Sequence, residues 1–137
     1  MTEFDDAVAA IEGPIAVTGA TGFIGANLVA ELRQRRGDVI ALARTPVSWR
    51  LDAMPVGHVE VTPHRSDVIA ALDEHRPRTI INLAAHGAYS SQDDSEAILD
   101  TNFRLVRDIS EWAARNDAAL VQAGSSSEFG WNCEGPD

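Results

Sequence analysis

The sequence predicts a doubly wound parallel α/β sheet of about five strands. Two observations carry that prediction. Short apolar runs alternate with longer segments of helical period, the pattern of βαβ units rather than of hairpins. A glycine-rich segment also stands between the first such run and the first amphipathic helix, where a parallel sheet turns tightly at its carboxyl edge. Length and composition agree. The chain has 137 residues, about one domain's worth and enough to bury a core. Its 45% hydrophobic and 23% charged content is ordinary for a globular protein and excludes a disordered tail, a collagen-like fibre and a coiled coil.

The elements follow in order. Residues 2–11 predict a short helix with Thr2 as its cap and Phe4, Val8 and Ile11 on one face. Ile15–Thr18 is the first strand. After the glycines, Ile24, Leu28 and Leu32 recur at helical spacing, and Gly37 offers a C-terminal cap. Val39–Ala43 is wholly apolar, as in a strand covered on both faces. Residues 45–57, with two prolines and a glycine, read as a loop with one helical turn at most. His58–Thr62 alternates as a third strand, Asp67–Arg76 reads as a helix closed by Pro77, and Thr79–Ala85 is the fourth strand. After a polar loop, residues 95–115 predict a long helix with Ile98, Leu105, Ile109 and Trp112 on one stripe. Leu120–Ala123 is the fifth strand, and residues 124–137 read as a loop. No helix follows to cover that last strand, so the sheet reads as truncated. Its unpaired apolar edge predicts marginal stability or self-association into a homo-oligomer.

Charge narrows the function. The formal net charge is -10, which repels phosphate backbones and anionic lipid, so neither nucleic acid nor membrane is an expected partner. The cluster Arg33, Arg35 and Arg36 falls at the end of a predicted helix, where cations complement the dipole. All 11 basic residues are arginine. Without lysine there is no P-loop and no Schiff-base chemistry. One cysteine, Cys133, excludes a disulfide framework. His58, His64, His75 and His86 lack metal-ligand spacing, so no metal is expected. The acidic N-terminus, the lone cysteine and the lack of an apolar run near ~18 residues point to the cytoplasm.

The strongest motif is Thr18-Gly19-Ala20-Thr21-Gly22-Phe23-Ile24-Gly25. Glycines at three-residue spacing permit the turn, a close approach to a pyrophosphate and close helix–strand packing. The helix that follows offers unpaired N–H groups to the phosphates. Further on stand Ser66-Asp67-Val68, Asn82-Leu83-Ala84-Ala85-His86 and Gly124-Ser125-Ser126-Ser127-Glu128-Phe129-Gly130. With these four segments, in this order and spacing, the chain resembles the extended short-chain dehydrogenase/reductases, the NAD(P)-dependent epimerase/dehydratase family. The resemblance covers nearly the whole chain, although Phe129 stands where that signature has tyrosine.

The resemblance implies an incomplete Rossmann-like NAD(P)-binding domain over residues 1–137. It implies cofactor contacts from Gly19, Thr21, Gly22, Phe23, Ile24 and Gly25, from Asp67 and Val68 near the adenine, and from Leu83, Ala84 and Ala85. Ser125 aligns with the catalytic serine that binds the substrate oxygen, with Ser126 and Ser127 as neighbouring candidates. A matching asparagine, Asn102, would lie near cofactor and serine. On the predicted stripe it faces inward and needs polar partners; the alternative is a partly exposed helix residue. The end of the second strand reads Ala43-Arg44-Thr45 with no acid. Arg44 suits the 2′-phosphate of NADP, with NAD the other choice and a solvated surface arginine the bland one. The implied activity is hydride transfer at a hydroxyl of a nucleotide sugar in a full-length parent. The family's Tyr-x-x-x-Lys pair is not in these residues: Tyr89 is the only tyrosine and Asp93 stands four residues on. The isolated chain is therefore expected not to turn over substrate. A different class is also open, a non-catalytic NAD(P)-binding or redox-sensing module of the atypical short-chain type, although such a module does not need the serine segment.

Overall fold

The computed structural model describes residues 2–45 and 58–125. The elements are α1 (Glu3–Ala10), β1 (Ile15–Thr18), α2 (Phe23–Arg33), β2 (Val39–Ala43), β3 (Glu60–Val61), α3 (Arg65–His75), β4 (Thr79–Asn82), α4 (Ser95–Leu99), a π-helical segment (Asp100–Arg104), α5 (Leu105–Asn116) and β5 (Ala119–Gln122). The five strands are all parallel, in the order β3-β2-β1-β4-β5. The order reverses at β1, so the crevice between the exits of β1 and β4 is the place where such sheets take ligands.

Alternating side chains divide the core into two layers. Ile15, Val17, Val39 and Ala41 point to one face and pack with Val8 of α1 and Val29 and Leu32 of α2. Ala16, Leu42 and Ile80 point to the other, against Val68 and Leu72 of α3 and Leu105, Ile109 and Trp112 of α5. Both faces of the central strands are thus covered, which is why these strands read as unbroken apolar runs. The Trp112 indole N–H donates to the Asp73 carboxylate at 2.8 Å, which leaves its polar edge satisfied although the ring is buried.

Several boundaries differ from the expected ones. β4 stops at Asn82, because its partners Thr18 and Gln122 are the last residues of β1 and β5 to pair with it. α3 begins two residues earlier, where the His64 N–H donates to the Asp67 carboxylate at 2.9 Å and closes the N-terminus. β3 is a two-residue strand, paired only with Leu42 and Ala43. α2 ends at Arg33, and Gly37 takes no part in its cap. Its buried side chains are Ala26, Val29, Ala30 and Leu32, while Ile24 is 65% exposed, so the inward face is rotated from the expected one. The long helix is interrupted: the Leu105 N–H reaches back to the Asp100 carbonyl, a five-residue step. The wider turn rotates Asn102 off the apolar stripe, and it is exposed. Residues 46–57 and 126–137, with Ser126, Ser127, Phe129, Gly130 and Cys133, lie outside the described residues. No helix among the described residues is long and apolar enough to cross a membrane. β5 stands at one edge of the described sheet, with Val121 55% exposed.

The arginine cluster does a different job from the one its position suggests. Only Arg33 lies in the last turn of α2, and it donates to the Val39 carbonyl at 2.9 Å. Arg36 donates to the carbonyls of Val8 and Ile11 at 3.0 and 2.8 Å. Arg35 binds the Asp5 carboxylate at 2.6 Å and lies 4.9 Å over the Phe4 ring. Arg35 and Arg36 fasten α1 to the rest of the fold, and Arg33 ties the last turn of α2 to β2.

A hydrogen bond from the Thr2 backbone, then one from Arg35, lowers the Asp5 carboxyl to about 2. A carboxyl lowered in the folded chain stabilises it above the ordinary carboxylate range, and that contribution is lost as pH falls through the folded value. α1 docking should therefore weaken between about pH 4 and pH 2. Asp5→Asn should show a shallower loss over that window in urea melts followed by circular dichroism; an unchanged slope would show that Asp5 contributes nothing.

Candidate functional site

The site is built from the backbone outward. Gly19 leaves β1 with φ +65°, in the left-handed region. A Cβ there would stand 2.7 Å from the Leu83 carbonyl carbon and oxygen and 2.9 Å from the Ala84 nitrogen. The turn is therefore pressed against the exit of β4 with no room for a side chain. The Ala20 N–H donates to the Leu42 carbonyl at 3.1 Å and ties the same turn to β2. On α2, a Cβ at Gly25 would fall 2.1 Å from the Gly19 carbonyl oxygen. The helix packs that closely on the loop, and its first turn, after Gly22, has no side-chain cap. Uncapped N–H groups and the positive end of the helix dipole suit an anion.

Beneath the loop runs a polar ladder across three strand ends. The buried Thr18 hydroxyl donates to the Asn82 side-chain oxygen and accepts the Leu83 N–H at 3.2 Å. The buried Asn82 amide donates to the Gln122 side-chain oxygen at 2.7 Å, and the Gln122 amide donates to the Ala123 carbonyl at 2.8 Å. The ladder fixes where β1, β4 and β5 let go of the chain. Sequence reasoning took Asn82 only as part of a longer segment and passed over Gln122. The available signal was an asparagine at the carboxyl end of a buried apolar strand, a polar group that must find partners.

A cleft of about 320 Å³ opens above this floor. One wall is Gly19, Thr21 and Gly22, with Leu83–Ala85 beside them. The far wall is the exit of β2, including Arg44, and the entry to α3, including Arg65 and Val68; Ala97 and Asp100 come from α4 and the π segment. Arg65 is neutralised by Asp108 at 2.5 Å and Asp100 at 3.3 Å. Burial pushes the Asp108 carboxyl up, but hydrogen bonds from Arg107 and Arg65 outweigh it and hold it below the usual carboxylate range. Arg44 differs. Its guanidinium meets no carboxylate among the described residues and instead contacts His86 Nδ1 at 3.3 Å.

Of the residues singled out from sequence, Gly19, Thr21, Gly22, Arg44, Val68, Leu83, Ala84 and Ala85 line the cleft. Gly25 is buried under the loop. Phe23 and Ile24 are 72% and 65% exposed at the start of α2, outside the cleft lining. Asp67 lies beside the cleft and uses its carboxylate to cap α3. Asn102 does not face the core: its side chain accepts the His86 N–H at 2.9 Å and donates to the His86 carbonyl at 2.7 Å. Ser125 is exposed, three residues beyond β5 on the carboxyl edge of the sheet, and does not line the cleft.

Residues 15–137 match the NAD dependent epimerase/dehydratase family. A dTDP-6-deoxy-L-talose 4-dehydrogenase (NAD(P)(+)) of Kitasatospora kifunensis is 31% identical over 122 residues, which are 85% of this chain and 36% of that one. Among solved structures, the epimerase Mth375 of Methanothermobacter thermautotrophicus superimposes with a TM-score of 0.74 at 26% identity, over 91% of this chain and 39% of that one. MoeE5, solved in complex with UDP-glucose and NAD, gives a TM-score of 0.65 at 29% identity, over 85% of this chain and 38% of its own. The chain thus spans about a third or less of the length of several curated relatives it matches, and 36% of the Kitasatospora kifunensis one.

The glycines make a graded test. Gly25→Ala should be severely destabilising, because its Cβ meets backbone at 2.1 Å. Gly37→Ala, with nothing within 4 Å, should be neutral or stabilise by about 0.4–1 kcal/mol through the unfolded chain. Thermal melts of the two variants separate these outcomes; equal effects would mean that the loop is not packed as described.

Proposed function

The chain belongs to the NAD dependent epimerase/dehydratase family, and we propose that it forms the NAD(P)-binding part of a sugar-nucleotide epimerase, dehydratase or reductase. The parent would act by hydride transfer at a sugar hydroxyl. The observation that carries this reading is the uncapped start of α2, with Gly19 and Gly25 pressed to backbone contact, opening into a cleft at the β1/β4 switch point. A dinucleotide fits that donor set. The uncapped backbone N–H groups at the start of α2 suit a pyrophosphate, and Arg44 supplies a charge that no carboxylate among the described residues cancels. The match to relatives named as a dehydrogenase and an epimerase favours an enzyme over a redox-sensing module.

In this reading each residue has a role of its own. The loop of Gly19, Thr21 and Gly22 receives the pyrophosphate. Val68 and Leu83–Ala85 flank the adenosine, and Asp67 holds the start of α3 against it. Phe23 and Ile24, exposed at the mouth of α2, cover the bound dinucleotide from outside. Arg44 takes the ribose phosphate, which favours NADP over NAD. When bound, the nicotinamide supplies the hydride chemistry. Ser125 orients the substrate oxygen, and Asn102 holds the β4 exit loop. The proton at that oxygen is moved by groups outside these 137 residues, which contain no lysine. The domain therefore spans residues 1–137 as part of a larger unit. A cytoplasmic setting belongs to the same reading, supported by a single cysteine.

Titration of the chain with NADPH and NADH, followed by thermal shift, tests this. Binding to the folded state alone raises the melting temperature. NADPH should bind tighter, and Arg44→Ala should lose the preference, by roughly 10-fold for one charge-assisted contact. Binding of neither dinucleotide would sink the proposal.

A further inference from the structure

We propose that His86 is the positioning residue for Arg44 and that it sets the chain's selectivity for a phosphorylated ribose. The proposal rests on the dinucleotide reading above and adds to it a determinant outside the glycine loop. Arg44 leaves the exit of β2 and His86 follows β4; β1 and its glycine turn lie between them. Their 3.3 Å contact therefore links the exits of β2 and β4 across β1.

Arg33 and Arg76 donate to neutral oxygens of Val39 and Asn116, but most of the described arginines meet acids. Arg35, Arg36, Arg65, Arg78, Arg104, Arg107 and Arg115 all contact carboxylates. Each such contact cancels the charge that an incoming phosphate would feel. A guanidinium only donates, so His86 Nδ1 accepts and is the unprotonated ring nitrogen. A neutral acceptor holds the arginine without cancelling its charge. It also occupies one of five N–H donors, and the remaining donors can grip a phosphate.

The restraint is itself anchored. Asn102 binds both the N–H and the carbonyl of His86, at 2.9 and 2.7 Å. It can do so because the π segment turns it away from the core stripe. Asn102, His86 and Arg44 form a strut from the π segment to the cleft wall. Among the described residues no carboxylate lies within 4.0 Å of the His86 ring nitrogens, and Arg44 is the charged group in contact with it. An exposed arginine loses rotamer freedom when it binds, and a partner that restrains it beforehand removes part of that loss.

The test compares adenosine 2′,5′-bisphosphate with adenosine 5′-monophosphate, titrated calorimetrically into the whole chain at about pH 8, where a phosphate monoester is dianionic. The wild-type chain should prefer the bisphosphate. His86→Ala should reduce that preference about fivefold, the worth of one ordinary hydrogen bond, and leave the monophosphate unchanged. His86→Gln, which offers a neutral oxygen, should restore most of it. His86→Glu, which offers a carboxylate, should lower it further. A preference unchanged or increased in His86→Ala overturns the positioning role while leaving the dinucleotide reading intact. A preference that survives Arg44→Ala, or failure of the wild type to bind either nucleotide, overturns the parent reading and this proposal with it. Melting temperatures of all variants should match the wild type; should His86→Ala be unstable, the Gln and Glu pair alone decides.

Discussion

The contact on which the site depends is backbone against backbone. The Gly19 turn lies against the exit of β4 on one side and against the start of α2 on the other. A Cβ at Gly19 would meet Leu83 at 2.7 Å, and one at Gly25 would meet Gly19 itself at 2.1 Å. Two separate crossings of the chain are thereby held closer than any side chain allows. That closeness brings the start of α2 to the mouth of the crevice, where its first turn has no side-chain cap. The cleft is the space that these two crowded crossings cannot fill.

Crowding of this kind needs a rigid support. Apolar packing covers both faces of the central strands but says little about where each strand stops. The polar ladder from Thr18 through Asn82 to Gln122 supplies that information, because buried hydroxyl and amide groups must pair and each has one geometry that satisfies it. Leu83 is tied to the ladder through its N–H and to the glycine turn by contact. The cleft wall and the strand register are therefore one arrangement, and loosening either loosens the other.

Much of this was legible before any coordinates. Strand positions and their parallel direction follow from the run lengths and the helical segments between them, and the glycine spacing marks the turn. What escaped depends on neighbours far away in sequence. The shortening of β4 is decided by where Thr18 and Gln122 stop pairing. The inward face of α2 is decided by the layer it meets, which buries Val29 and leaves Ile24 out. An uninterrupted helical period would turn Asn102 inward; with a π turn over residues 100–104 it is exposed, the alternative that the sequence left open. The arginines near residue 35 look like dipole partners until α1 is seen packed beside them. Residue types at the candidate site were readable; the partners of those residues were not.

The distribution of charge ties fold to function. With a formal net charge of -10, the long-range field of the chain opposes a dinucleotide carrying several negative charges. Screening over roughly 8 Å at physiological salt removes most of the opposition that comes from distant groups. Affinity then has to come from donors within contact distance, and two are available in the cleft: the uncapped amides at the start of α2 and the guanidinium of Arg44. Arg65 stands in the same wall but is held by two aspartates, so it shapes the cleft without charging it. In the proposed reading, which arginine would bind an anion is decided by its partner rather than by its position. An arginine beside a carboxylate belongs to the scaffold, and an arginine beside a neutral imidazole stays available to a ligand.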